Sequence, residues 1–214
     1  MNSLILLMAG CGSRMEMDIN KVLLPLGDKK IFEYSLDLFS KYDFEIICVV
    51  NKDDDVLLPG NVKKVYGGKT RMESVYNGLL HAEGDYVFIH DAARPFLSEE
   101  VLKELLSLQN DNVALLTTSE VKDTIRINEN GILRPLDRSL LVGASTPQCA
   151  PKNIILEAYK KGIEDNKLFT DDISLIEYYY PDFEIKLVKG NSDNFKVTTK
   201  IDYELAKMIW RKYA

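Results

Sequence analysis

The chain has 214 residues, 46% of them hydrophobic and 28% charged, with a net charge of −6. That size suits one domain with a single good core, and the acidic balance excludes a broad nucleic-acid surface, which needs a basic excess, while leaving room for a small anionic ligand in a locally basic pocket. Three scattered cysteines, Cys11, Cys48 and Cys149, with no CxxC spacing, exclude a disulfide framework or a zinc site and fit a reducing compartment, the cytoplasm.

Residues 3–8 form a short apolar run that breaks into glycine, the pattern of a buried parallel strand. No basic segment precedes it, and Leu4–Met8 is too short for a signal peptide or a membrane span, so no membrane partner is expected. Helical spacing of apolar residues predicts a helix over Ile31–Phe39. Strands are predicted over Phe44–Val50 and Val62–Tyr66. A helical stripe at Met72, Val75, Tyr76, Leu79 and Leu80 follows Gly67-Gly68, and Asp85–His90 is another buried strand. Ser98 caps a helix carrying Leu102, Leu105 and Leu106, with Glu99 and Glu100 in its first turn, before a strand over Val113–Thr118.

Such alternation predicts an α/β fold, a mostly parallel twisted sheet flanked by helices. The rhythm changes at 119–143. Val121–Asn128, a turn at Glu129-Asn130-Gly131 and Ile132–Leu136 predict a protruding β-hairpin arm with too few apolar residues for a core of its own. It needs a partner to cover it. Beyond lie a helix from Pro151 to Lys161 stopped by Gly162, a helix from Asp171, a strand over Phe183–Val188 and a terminal helix after Thr199. One domain, 1–214, with an inserted arm is the expected organisation.

Two segments stand out for chemistry. The first strand ends in Gly10-Cys11-Gly12-Ser13-Arg14, and glycines at a strand end let backbone N–H groups curl around a phosphate. The dinucleotide fingerprint needs a third glycine where Arg14 or Met15 stands, and a Walker loop is absent. Arg14 and Lys21, two cations within eleven residues of Gly10, suit a triphosphate better. The competing view is a plain strand-to-helix turn with solvated basic side chains. His90-Asp91-Ala92-Ala93-Arg94-Pro95 follows an apolar strand, which places Asp91 and Arg94 at the carboxyl edge of the sheet, where ligands bind in open α/β folds. There Asp91 can hold Mg²⁺ and Arg94 a phosphate, or the two can simply pair to fix a turn. His90 reads as a packed or hydrogen-bonded side chain and His81 as a surface residue. Thr170-Asp171-Asp172 reads as a helix cap. Lys196 is expected on a short strand. No nucleophile–base pair is legible. The cations and one strand-end Asp fit a reaction that needs charge stabilisation, with a phosphate monoester as its own nucleophile.

In order along the chain, LLMAGCGSRM, Asn20-Lys21, GGKTRMESV at 67–75, HDAARP at 90–95, VKDT at 121–124, Asp137-Arg138, TPQ at 146–148, TDD at 170–172 and NFKVTT at 194–199 resemble the 2-C-methyl-D-erythritol 4-phosphate cytidylyltransferases of non-mevalonate isoprenoid biosynthesis. The resemblance spans nearly the whole chain. It implies an enzyme that joins CTP and the polyol phosphate 2-C-methyl-D-erythritol 4-phosphate, with Mg²⁺, to give the CDP-alcohol and pyrophosphate. It implies that Ala9, Gly10, Gly12, Arg14 and Lys21 hold the triphosphate and that Gly68 and Ser74 read the cytosine, with Arg71 also among the substrate-binding residues. Asp91 and Ala92 would meet the ribose, Asp91 also the metal, while Arg94, Thr170 and Lys196 would face the acceptor. Arg14, Lys21 and Lys196 are the residues that would carry catalysis. The family is a homodimer with interlocked arms, so Thr124 and Arg138 would reach the neighbour's site. The chain departs from the usual pattern at Met8, Asn20 and Lys69 and near Val142.

A ribitol-5-phosphate cytidylyltransferase is the alternative, but its motif tends toward HDSVRP. A dinucleotide-dependent oxidoreductase is opposed by the missing third glycine. A silent binding module is opposed by the set Arg14, Lys21, Asp91 and Lys196.

Overall fold

A computed structural model describes residues 1–10 and 19–213 of the chain. The strands alternate their side chains between two apolar layers, and that alternation sets the architecture. In β1 (Asn2–Leu7) Leu4 and Leu6 face one layer and Ile5 the other; β4 (Phe44–Val50) and β6 (Tyr86–Asp91) divide in the same way. The helices α1 (Ile31–Phe39) and α3 (Glu99–Leu108) cover the first face. The second is covered by α2 (Arg71–His81), α4 (Lys152–Glu164) and α5 (Ile173–Tyr179). Strands buried on both sides read as continuous apolar runs, which is why they were predictable.

With β5 (Val62–Tyr66), β7 (Val113–Glu120), β10 (Val142–Pro151) and β11 (Glu184–Lys189), the sheet has seven strands in the order β11-β7-β10-β6-β1-β4-β5. Pairing is parallel except along β10, which runs antiparallel to both β6 and β7. A small hairpin of β2 (Pro25–Leu26) and β3 (Lys29–Lys30) packs with α6 (Lys200–Tyr213) in a third apolar cluster that includes Leu26, Ile31 and Ala206.

The predicted α/β class holds, with four corrections to its details. First, β10 was not expected, because its sequence VGASTPQCAP lacks an apolar run. Its polar Ser145, Thr146 and Gln148 are nevertheless buried; the side chains of Thr146 and Gln148 are hydrogen-bonded, and the Ser145 carbonyl accepts from Gln148 Nε2. Second, Gly162 does not stop α4. It lies inside the helix, where a Cβ would come within 2.6 Å of Met72 Cε and 2.8 Å of Leu175 Cδ2, so glycine permits close packing there. Third, the arm's strands are shorter, β8 (Arg126–Glu129) and β9 (Ile132–Pro135). Its turn is Asn130-Gly131 alone, at φ 51° and 83°, the backbone that an Asn-Gly hairpin turn favours. Every residue of both strands is exposed, as expected of an arm without a core. Fourth, α5 begins at Ile173, and Asp171 precedes it as a cap, its carboxylate accepting from the Ser174 N–H at 2.8 Å.

Candidate active site

The chain runs from β1 to β4 and β5 on one side of β1, then returns to β6 on the other. A crevice at the carboxyl ends of the strands opens at such a reversal. Here the β1 exit is held to β4 by the Met8 and Ala9 N–H groups, both donating to the Val49 carbonyl at 2.8 Å. Asn20 and a single 3-10 turn, Lys21–Leu23, form a further edge. Together these edges enclose a cleft of about 310 Å³. Of the residues singled out from sequence, Ala9, Gly10, Lys21, Ser74, Asp91 and Lys196 line it, with Arg71 beside them. Gly12 and Arg14 lie outside the described residues.

Asp91 organises the cations. Lys196 Nζ donates to its Oδ2 at 2.8 Å, Arg71 Nε stands 3.6 Å from Oδ1, and Arg94 Nε stands 3.8 Å from Oδ2. Burial alone would raise the carboxyl's pKa. The charges of Arg71, Lys196 and Arg94 and the Lys196 hydrogen bond overcome that and hold it well below the usual carboxylate range, so Asp91 is ionised at neutral pH. Lys196 reaches Asp91 from an irregular segment, not from the predicted strand, and the Val197 N–H donates to the Ala93 carbonyl at 2.8 Å.

Arg71 is locked in turn by a residue that sequence reading took for a cap. Its two terminal nitrogens donate to Asp172 Oδ1 and Oδ2 at 2.7 and 2.8 Å, a bidentate pair, and the Tyr159 hydroxyl donates to the same carboxylate. The Asp172 side chain is 0% exposed. Ser74 is oriented by the helix start: its hydroxyl donates to the Thr70 carbonyl at 2.8 Å and accepts from the Gly68 N–H at 3.1 Å.

Beneath the site His90 is fully buried, as a packed side chain should be. Burial, its main influence, pushes its pKa down to about 4. Thr146 Oγ1 accepts from the Asp91 N–H at 3.1 Å and lies 3.0 Å from His90 Nδ1, while His90 Nε2 lies 3.2 Å from the Arg94 carbonyl. A neutral ring carrying its proton on Nε2 satisfies all three contacts. His81 is exposed on α2, as read.

A second cavity of about 630 Å³ adjoins the cleft and shares Lys196 with it. Arg94, Lys122 and Lys189 also line it, against the single carboxylate of Glu120. Arg94 therefore faces this cavity, and its Nη1 donates to the Asn194 carbonyl at 2.9 Å. Gly68 is exposed, with its N–H turned to the Ser74 hydroxyl, and Ala92 is wholly buried with its N–H on the Leu7 carbonyl at 3.0 Å. Thr170 is exposed and lines neither cavity. Thr124 and Arg138 lie exposed on the arm, outside both cavities, and Arg138 Nη1 donates to the Lys122 carbonyl at 2.8 Å.

Sequence reading missed Asp172, Tyr159, Thr146 and Asn194 as supports. The TDD, TPQ and NFKVTT motifs contain three of them, Asp172, Thr146 and Asn194. Among the described residues, no cluster of three or more His, Cys, Asp or Glu side chains could hold a metal, and no helix is long and apolar enough to cross a membrane.

The sequence profile of the 2-C-methyl-D-erythritol 4-phosphate cytidylyltransferase family matches residues 3–212. A relative of that name from Clostridioides difficile (strain 630) is 33% identical over 98% of this chain and 93% of its own. One from Haemophilus influenzae (strain PittEE) is 39% identical over 93% of this chain and 92% of its own. The crystal structure of 4-diphosphocytidyl-2C-methyl-D-erythritol synthase from Anaerococcus prevotii superposes with a TM-score of 0.85 at 32% identity, covering 98% of this chain and 96% of the other.

Proposed function

The chain belongs to the 2-C-methyl-D-erythritol 4-phosphate cytidylyltransferase family, and from that premise we infer that it transfers the cytidylyl group of CTP to 2-C-methyl-D-erythritol 4-phosphate with release of pyrophosphate. The observation that carries this reading is the cluster of Arg71, Arg94 and Lys196 around Asp91, set where a nucleotide-sized cleft meets a second basic cavity.

The acceptor supplies the nucleophile. The second ionisation of a phosphate monoester falls near about pH 6, so it is largely dianionic at neutral pH and needs no protein base. One of its oxygens attacks the α-phosphorus of CTP. A new P–O bond forms there, the bond to the α–β bridging oxygen breaks, and pyrophosphate leaves with that electron pair. The protein aligns the two substrates and spreads the charge. In this reading Ala9, Gly10 and Lys21, with Gly12 and Arg14, hold the triphosphate. Gly68 and Ser74 meet the base, Asp91 and Ala92 the ribose, and Arg94, Lys196 and Thr170 the acceptor. Arg71 braces the nucleotide side.

Mg²⁺ belongs to the same proposal, carried in on the triphosphate with Asp91 as its protein ligand. The donor set fits, since Mg²⁺ is commonly held by one or two carboxylates plus substrate phosphates, and Asp91 is an ionised carboxylate on the cleft wall. Bound there, the ion neutralises charge on the phosphate oxygens. Three neighbouring cations keep Asp91 oriented before the nucleotide arrives.

We also propose a homodimer in the cytoplasm. The arm exposes Ile127, Ile132 and Leu133, which a second copy would cover, bringing Thr124 and Arg138 to the neighbour's acceptor cavity. For the compartment, Cys48 and Cys149 are free and buried. The deciding assay is pyrophosphate release from CTP and Mg²⁺ with either polyol phosphate. A larger kcat/KM for methylerythritol 4-phosphate is expected. A larger value for ribitol 5-phosphate would overturn the acceptor assignment, and no release with either would overturn the enzyme reading.

A further inference from the structure

The two ends of the Gly-rich segment meet on one atom. The Met8 carbonyl oxygen accepts from the Gly10 N–H at 2.9 Å, where the segment begins, and from Asn20 Nδ2 at 2.7 Å, where it ends. The same Asn20 Nδ2 donates to Asp54 Oδ2 at 2.7 Å, and Asn20 Oδ1 accepts from the Val22 N–H at 3.3 Å, capping the turn that starts with Lys21. Both amide hydrogens and the amide oxygen are thus used. Asp54 is braced from β4, since Asn51 Nδ2 donates to the same Oδ2 at 2.9 Å. Asn51 directly follows β4, whose Val49 carbonyl holds Met8 and Ala9. One carboxamide therefore joins the exit of β1, the connection after β4 and the first turn of the Lys21 helix, and Asn20 itself lines the cleft.

We propose that Asn20 is a positioning residue for Lys21, tying the turn that carries this lysine to the β1 exit and to Asp54, so that its ammonium is set against the triphosphate. The proposal rests on the reading of Lys21 as a triphosphate ligand. The chemistry of the site favours asparagine. A short side chain with two donors and one acceptor on one planar group can serve Met8, Asp54 and Val22 together. Aspartate has the same shape and keeps the cap to Val22, but it has no donors and would set a carboxylate against both the Met8 carbonyl and Asp54. The loss of the staple is therefore a loss of aim at Lys21, and misplacement of about 1 Å in such a site can cost about 10²-fold in rate.

The test is a double-mutant cycle on the full chain, with Asn20→Asp, Lys21→Ala and both together, read as kcat/KM for CTP and KM for the acceptor. Asn20→Asp is expected to lower kcat/KM for CTP by about 10- to 100-fold while leaving the acceptor KM within about twofold and Tm within a few degrees. In the Lys21→Ala background the same substitution should change the rate by less than about threefold, because its route of action is gone. Adding Asp54→Asn to Asn20→Asp returns a donor to the 20–54 contact and should recover at least about threefold. Multiplicative effects of Asn20→Asp and Lys21→Ala would overturn the proposal while leaving Lys21 a triphosphate ligand. A loss shared equally by both substrates and by Tm would reduce Asn20 to a structural role and overturn it too. A wild-type chain that releases no pyrophosphate from CTP would overturn the parent reading and this one with it.

Discussion

Removing either partner of the Arg71–Asp172 pair tests the electrostatics of the site, because the two partners differ in their access to water. The Asp172 side chain is 0% exposed, whereas Arg71 keeps 35%. Deleting one member of a buried ion pair costs about 3–5 kcal/mol, since the other charge is left uncompensated. In Arg71→Gln that full cost applies: the carboxylate keeps the Tyr159 hydroxyl, loses two guanidinium bonds and has no path to solvent. In Asp172→Asn the guanidinium turns its open edge to water and still faces Asp91 at 3.6 Å, so the loss falls to about 1–2 kcal/mol, the lower part of the range for a group left without its hydrogen-bond partner. For a chain of this size each kcal/mol lowers Tm by about 2–4 °C, which puts Arg71→Gln about 6–20 °C below the wild type and Asp172→Asn about 2–8 °C below. Urea unfolding monitored by circular dichroism measures both, with unchanged m-values confirming that the same transition is compared. The double variant holds no orphaned charge and should be more stable than Arg71→Gln alone. Equal costs for the two single variants, or a double variant that is the sum of both, would refute the reasoning.

Lys21→Ala should lower kcat by about 10²–10³, the value of roughly 3–4 kcal/mol of charge stabilisation in a dry site, with an unchanged melting curve; a change below about threefold would make Lys21 a solvated loop residue. Homodimers of Lys21→Ala and of Arg138→Ala should both be nearly inactive. Mixed dimers should regain up to about half of wild-type activity per dimer, because one of the two sites then holds both intact residues; no recovery despite demonstrated subunit exchange would exclude a shared site. His90 makes the fold acid-sensitive. Its folded-state pKa, about 4, lies below the unfolded value of 6.5, so the unfolded chain takes up the proton first. Stability from this group is present above about pH 6.5 and falls away toward pH 4, by about 3 kcal/mol in all, at 1.36 kcal/mol per pH unit. A stability–pH curve for His90→Gln should be flatter across that window, and an unchanged slope would count against it.

What the sequence made legible follows from physical range. Strands such as Phe44–Val50 and helices such as Ile31–Phe39 match their predicted bounds, because a strand buried on both faces and a helix with one apolar stripe each write their environment into consecutive residues. The Ser98 cap was equally local, its side chain accepting from the Val101 N–H. β10 was not legible, since its burial is satisfied by hydrogen bonds from distant segments. An example is Gln148 Oε1, which accepts from the Asp172 and Ile173 N–H groups at 2.9 Å. The same holds within the site. Asp91 stands at a strand end that pattern reading finds and Lys21 follows the Gly-rich segment after another, whereas Arg71 and Asp172 are 101 residues apart and meet only once α2 and α5 are packed. Gly162 misled for a related reason: a glycine chosen for the approach of Met72 and Leu175 looks the same, in one dimension, as one chosen to end a helix.

The strand β10 has a dual character that bears on how such chains can change length over generations. Its first residues, Val142–Ala144, pair with β7 at the root of the arm, and four residues later Gln148 pairs with both β7 and β6 after a shift in register. Between them Thr146 holds the backbone of Asp91. At the arm's far end Asn130-Gly131 is an exposed turn with open space around Gly131. Residues gained at that tip leave every contact of the seven-stranded sheet in place, whereas one residue gained or lost between Gly143 and Gln148 flips side chains to the opposite face and takes Thr146 from Asp91. The arm is therefore free to drift in length at its tip and held to a fixed count at its root, a contrast that single-residue insertion scanning across 126–150, scored by turnover, would display directly.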